Sequence, residues 1–111
     1  MKKIVLKTPP ISVNQLYTGR RYLTLKGKNT KELMSWEAKK QYKGKALECD
    51  IGLDIDFYVR NGRSDLDNLL KATIDCLTGI LWIDDRQIIE ILARKYVDNK
   101  NPHIEIIINP L

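Results

Sequence analysis

Ile51-Gly52-Leu53-Asp54-Ile55-Asp56-Phe57-Tyr58-Val59 sets Ile51, Leu53, Ile55, Phe57 and Val59 on one side of an extended chain and Asp54, Asp56 and Tyr58 on the other. Period-two alternation of this length is the pattern of a strand with one buried face. Asn61-Gly62 follows as a turn signal, and from Asp65 to Gly79 the period changes. At 100° per residue, Leu66, Leu69, Leu70, Thr73, Ile74, Cys76 and Leu77 fall on one arc of a helix, while Asp67, Asn68, Lys71 and Asp75 fall on the opposite arc. A strand feeding a helix, with Ser64 or Asp65 near its N-cap, is therefore the expected centre of the fold.

On the N-terminal side, Lys2 to Thr8 reads as a short strand ended by Pro9-Pro10, and a loop passes through Ser12 and Asn14. Arg20 to Leu25 alternates as a short strand or hairpin arm. Asn29 or Thr30 is the expected cap of a helix running to about Glu48, with Gly44 a weak point near its end. On the C-terminal side, Ile80 to Ile83 is a short apolar connection that delivers Asp84-Asp85. Gln87 to Val97 reads as a strand, Asp98 to Pro102 as a turn and His103 to Asn109 as the final strand. The last two strands are expected to pair as an antiparallel hairpin. This order predicts an α+β fold, one domain over residues 1–111, with two main helices packed on a mixed or antiparallel sheet.

The chain has 111 residues, 43% of them hydrophobic, which suffices for one modest core. A domain of this size buries only about two thirds of its unfolded surface, so a partner subunit would add useful burial. Cys49 and Cys76 follow no metal spacing and are too few for a disulfide framework, so they read as reduced thiols of a cytoplasmic protein. The apolar run after Lys2-Lys3 is too short for a signal peptide, and no 18-residue apolar stretch exists, which predicts a soluble chain without a membrane span.

Charge is uneven. Residues 1–48 carry 12 Lys and Arg against 3 Glu, a net +9, whereas residues 49–111 carry 7 against 11 acids, a net −4. A basic half attracts a polyanion through counterion release, and an acidic half does work that needs negative charge. A solvated lysine-rich surface accounts for the same composition, and both readings stand on charge alone.

Asp65-x-Asp67, and after one helix's length of chain Asp84-Asp85, is a spacing that returns carboxylates to where they started. Hydrolysis of a phosphodiester needs an attacking water deprotonated and a leaving oxygen neutralised, which carboxylate-held divalent metals accomplish. Mg²⁺ prefers hard oxygens, keeps several waters and takes few carboxylates from the protein; Asp65, Asp67 and one of Asp84 or Asp85 would suffice. The same residues also read as a helix N-cap, a dipole-favoured first-turn acid and i,i+4 ion pairs of Asp67, Lys71 and Asp75. Asp54-Ile55-Asp56 has the same spacing and reads as the solvent side of a strand. Arg60, Arg63, Asn68 and Lys71 distinguish the Asp65 pair, since a cation among acids can contact a scissile phosphate.

Asp65-Leu66-Asp67-Asn68-x-x-Lys71-x-x-x-Asp75-x-Leu77, with Trp82-Ile83-Asp84-Asp85-x-Gln87-Ile88, resembles the signature of the RusA family of Holliday junction resolvases. Pro9-Pro10 with Asn14, Tyr17 and Arg20 resembles that family's opening pattern. The resemblance spans residues 9 to about 97. It implies a RusA-like fold and a homodimeric, Mg²⁺-dependent endonuclease that nicks four-way junction DNA symmetrically in recombination and repair. Carried over by position, the essential aspartates match Asp65, Asp67 and Asp85, the metal ligands, and the catalytic lysine matches Lys71; Asp84 lies beside them as a supporting acid. The basic run before the first aspartate is thinner here, Arg60-Asn61-Gly62-Arg63-Ser64, which bears on junction affinity and cleavage preference.

Asn14, Tyr17, Arg20, Arg21, Lys26, Lys28 and Arg63 are the expected DNA contacts, because aromatic and basic side chains together suit phosphates and unstacked bases. Trp36 and Trp82 read as core or dimer contacts, and His103, the single histidine, is assigned no role. A non-catalytic basic nucleic-acid-binding protein, or a metal nuclease acting on flaps or other branched substrates, remains the alternative.

Overall fold

The computed structural model describes residues 2–19 and 22–111, so Arg20 and Arg21 lie outside the described residues. The elements in order are β1 (Lys2–Leu6), α1 (Val13–Leu16), β2 (Tyr17–Thr18), β3 (Tyr22–Leu23), α2 (Leu25–Gln41), β4 (Ile51–Val59) and α3 (Leu66–Leu77). A 3-10 turn at Asp85–Gln87 then leads into β5 (Ile88–Val97), and β6 (His103–Pro110) closes the chain. Four strands form a mixed sheet in the order β1-β6-β4-β5, and β2-β3 is a separate small hairpin. The α+β class and the mixed sheet are as the sequence implies.

The alternation of β4 holds residue for residue: Ile51, Leu53, Ile55, Phe57 and Val59 are buried, while Asp54, Asp56 and Tyr58 are partly exposed on the helix-free side. Ile104, Ile106 and Ile108 of β6 and Ile4 and Leu6 of β1 extend this apolar face. Leu69, Ala72, Cys76 and Leu77 of α3, with Met34 and Ala38 of α2, cover it. Trp82 is fully buried beneath α3 and donates its indole N–H to Thr78 Oγ1 at 2.9 Å, which satisfies the one polar atom of its ring.

Three expectations are corrected. β5 and β6 do not form a hairpin: β5 pairs in parallel with β4 on one side, and β6 pairs antiparallel with β4 on the other. Parallel neighbours need a long crossover, which α3 supplies, and the 98–102 turn instead steps over the end of β4, tied by Asp98 N donating to Val59 O at 2.7 Å. The first helix begins at Leu25 and ends at Gln41, not at Thr30 and Glu48. Thr24 is its cap, accepting from Gly27 N at 2.8 Å, and Gly44 lies outside it. The stretch through Ser12 and Asn14 is the short helix α1, closed by a reciprocal Ser12–Gln15 capping box, rather than a loop.

The two sheet edges are treated differently. Gln41 of α2 accepts from Val5 N at 2.8 Å and donates to Val5 O at 2.6 Å, and Glu37 accepts from Lys7 N at 2.6 Å, Thr8 N at 3.0 Å and the Thr8 hydroxyl, so side chains close the edge of β1. Among the described residues no strand pairs with the outer edge of β5, which exposes Ile89, Ile91, Leu92, Tyr96 and Val97. No helix is long and apolar enough to cross a membrane.

Candidate active site

α3 is amphipathic, and its outward face is where the acids fall. Asp65 occupies the N-cap with extended backbone, yet its side chain makes no capping hydrogen bond, so its carboxylate is not consumed by the helix start. Asp67 lies in the first turn and is exposed, as is Lys71 one turn on. No ion pair within bonding distance joins Lys71 to Asp67 or to Asp75 among the described residues, so the surface ladder suggested by spacing does not form. Asp75 instead accepts from the Tyr17 hydroxyl at 3.1 Å, tying α3 to the β2-β3 hairpin.

The chain beyond α3 returns acids to this face. Gly79 takes φ of +90°, a backbone conformation open to glycine, and turns the chain so that Leu81 and Trp82 bury while Asp84 and Asp85 emerge. Asp84 caps the 3-10 turn: it accepts from Arg86 N at 2.9 Å and from the Arg86 guanidinium at 3.1 Å and 3.3 Å, and its own N–H donates to Gln87 Oε1 at 2.8 Å. The backbone bond from Arg86, then its guanidinium, then the neighbouring Asp85 carboxyl hold the Asp84 pKa down at about 2. Gln87 in turn donates to Leu47 O at 2.7 Å and Cys49 O at 2.8 Å, which anchors the turn to the segment before β4.

Asp67, Lys71, Asp75 and Asp85 line one cavity of about 270 Å³ whose apolar side is Leu70, Ile74, Ile88 and Ile91. A larger cavity of about 930 Å³ adjoins it through Lys71, Asp75 and Asp85, and reaches Asp84, Tyr17, Lys31 and Leu23. Asp67, Lys71 and Asp85 are thus brought together; Asp65 lines neither cavity. Among the described residues no three His, Cys, Asp or Glu side chains converge closely enough to hold a metal ion by themselves. With Asp75 held by Tyr17, Asp67 and Asp85 on one open cavity nevertheless suit Mg²⁺, which retains several waters and takes one or two protein carboxylates.

The expected DNA contacts divide into two groups. Lys26 and Arg63 line a cavity of about 350 Å³ with Arg60, Asn61 and Ser64, directly before Asp65. Lys95 of β5 donates to Ser64 O at 2.8 Å and Gly62 O at 3.2 Å, and so holds that loop in place. Lys28 lies with Lys31, Lys39 and Trp36 on another cavity. Asn14 is exposed on α1, and Tyr17 faces the acidic cavity. Sequence reading assigned no role to Asp75, Gln87 or Lys31 in this region; Asp75 and Gln87 stood in the family-like pattern, and Lys31 carried no signal. Trp36, expected as a core or dimer contact, is exposed, so it is not part of the core.

The family model described as Endodeoxyribonuclease RusA matches residues 8–109. The crossover junction endodeoxyribonuclease RusA of Aquifex aeolicus (strain VF5) is 32% identical over 78 residues, covering 68% of this chain and 61% of that protein. The crossover junction endodeoxyribonuclease rusA of Enterobacteria phage 82 is 31% identical over an alignment of 119 positions, covering 97% of this chain and 93% of that protein. The chain therefore spans somewhat under two thirds of the Aquifex protein and nearly all of the phage one.

Proposed function

Because the chain belongs to the RusA family of endodeoxyribonucleases, we propose that it is a Mg²⁺-dependent resolvase that cuts four-way DNA junctions by paired, symmetric nicks in recombination and repair, within the cytoplasm. The observation that carries this reading is the cavity shared by Asp67, Lys71, Asp75 and Asp85, flanked by the basic groups around Arg63 and Lys28. Among the described residues Asp67 and Asp85 form no ion pair within bonding distance, which leaves their carboxylates free to take a cation.

Asp67 and Asp85, the two acids on the shared cavity that Tyr17 does not hold, are the residues that would hold the metal; when bound, Mg²⁺ would supply a lowered pKa for an attacking water and neutralise the phosphate. Lys71, on the same wall as Asp67, contacts the scissile phosphate and stabilises the departing oxyanion. Asp75 stays on the Tyr17 hydroxyl and fixes the hairpin against α3. Asp84 stays on its cap and sets the direction of Asp85. Lys26, Arg60 and Arg63 hold the backbone entering the site, and Asn14 and Tyr17 add contacts, as do Arg20 and Arg21, which lie outside the described residues.

A junction has two strands to cut, and a two-fold protein places one site on each. The open edge of β5 is the surface for a second copy. An antiparallel pairing about an axis through Leu92 would bring the exposed Ile89, Ile91 and Leu92 of the two copies together. The two copies continue one sheet.

Incubation with a synthetic four-way junction, linear duplex and flap DNA, with Mg²⁺ or with chelator, tests the reading. Metal-dependent paired nicks confined to the junction are expected. Asp67→Asn and Asp85→Asn are expected to bind the junction at least as tightly as the parent, since losing an acid eases phosphate repulsion, and to leave it uncut. Unchanged cutting by both variants would return the acids to caps and surface charge.

A further inference from the structure

α2 carries an exposed face that the catalytic reading leaves unused. Trp36 is 61% exposed on it, an unusual place for the largest side chain, and its ring lines a cavity of about 480 Å³ together with Leu23, Lys28, Lys31, Ser35 and Lys39. The Lys40 ammonium sits 4.4 Å from the indole centroid. Glu32 is the one acid on that cavity, and the other acid of α2, Glu37, is committed to the edge of β1. The cavity neighbours the larger acidic one: Leu23 and Lys31 line both.

The charge on this face selects its occupant. A second copy of the chain meeting it with the same face about a two-fold axis would bring like charge against like, which weakens association. A polyanion with flat apolar rings satisfies both features, since phosphates pair with the lysines and a base stacks on the indole. Lys31, at the boundary of the two cavities, connects this face to the acids. Resting on the nuclease reading above, we propose that Trp36 with Lys28, Lys31 and Lys39 binds an unstacked nucleotide of the DNA strand that leaves the acidic cavity, its base against the indole and its phosphates on the lysines.

Trp36 reports on its own occupancy, because Trp82, the other tryptophan, is fully buried. Titration of the whole protein with a four-way junction in metal-free buffer is expected to quench the exposed tryptophan emission, and Trp36→Phe is expected to abolish that quench. Trp36→Ala should weaken junction binding roughly 10- to 100-fold with the salt slope unchanged, since base stacking is not ionic. Trp36→Phe should recover most of the affinity and Trp36→Leu should not. Lys31→Ala with Lys39→Ala should instead lower the salt slope, by about 0.7 for each single-strand phosphate that the lysines no longer neutralise.

Parent-like affinity in both Trp36→Ala and Trp36→Leu, or unquenched emission on a bound junction, overturns the stacking site and leaves the nuclease reading intact. A parent protein that binds no DNA overturns both. If Trp36→Ala changes the sedimenting mass, the indole is a subunit contact and the proposal falls.

Discussion

Lys71 and Thr73 sit two residues apart on α3 and are governed by opposite physics. Lys71 is exposed and has no carboxylate within pairing distance among the described residues, so Lys71→Ala should leave the melting temperature nearly unchanged. Junction cleavage should fall by about 10²-fold, the cost of removing one group that stabilises a developing oxyanion. Parent-like rates would confine it to the surface. Thr73 is fully buried, and its hydroxyl has no hydrogen-bond partner. A polar group buried without a partner costs about 1–3 kcal/mol, so Thr73→Val should raise stability by about 1 kcal/mol in a denaturant titration. A loss of stability would mean that the hydroxyl is satisfied in solution. Cys76, on the same buried face, has its thiol pKa pushed up to about 11 by burial, which makes it unreactive at neutral pH.

α2 begins where it does because Gly27 permits a close approach. A Cβ at that position would lie 2.2 Å from Leu16 O, a backbone atom held in α1 and hydrogen-bonded to Thr24 N at 3.0 Å. Gly27→Ala should therefore cost about 1–3 kcal/mol in chemical denaturation, outweighing alanine's better helix propensity. β6 carries the other test of an element. His103 stacks on Tyr58 with centroids 4.2 Å apart and bonds Glu105 at 2.9 Å. Desolvation pulls the His103 pKa down, but the Asn101 carbonyl, the hydrogen bond to Glu105 and the charges of Glu105 and Asp98 outweigh it and leave it above 6.5. The hydrogen bond from His103, opposed by desolvation and aided by Lys3, holds Glu105 below 4.5. The histidine's contribution to stability is full below pH 6.5 and lost as pH rises through its raised value; the glutamate's is full above pH 4.5 and lost as pH falls through its lowered one. The melting-temperature gap between the parent and His103→Gln should be widest between those limits and should narrow as pH rises through the raised histidine value. A gap independent of pH would show stacking alone.

Among the described residues the sheet has one edge closed by side chains and one open edge, and the dimer proposed above would use the open one. Glu37 and Gln41 occupy the backbone groups of β1 and its following residues, whereas β5 offers ten residues with their outer edge uncovered. Lysines on an edge strand are a common device against such pairing. Ile89→Lys with Leu92→Lys, both at exposed positions, should convert a dimer to a monomer in sedimentation while preserving the circular dichroism spectrum. Paired nicking should then give way to single nicks. An unchanged mass would move the interface elsewhere.

β4 and α3 were legible because their periods of 2 and 3.6 are local and strong, and the Asp65 to Asp85 pattern carried both the family and the acids of the cleft. The limits of α2 were not legible: its apolar residues run all round, and its start depends on Thr24 and on the contact of Gly27 with Leu16. The amino-acid order alone settled the class of fold, the buried faces of β4 and α3 and which acids were candidates for the site. Which strands are neighbours, the gathering of Asp67, Lys71, Asp75 and Asp85 on one cavity, and the exposure of Trp36 came from packing. Periodicity tells each element which side to bury, but not which partner it will be buried against.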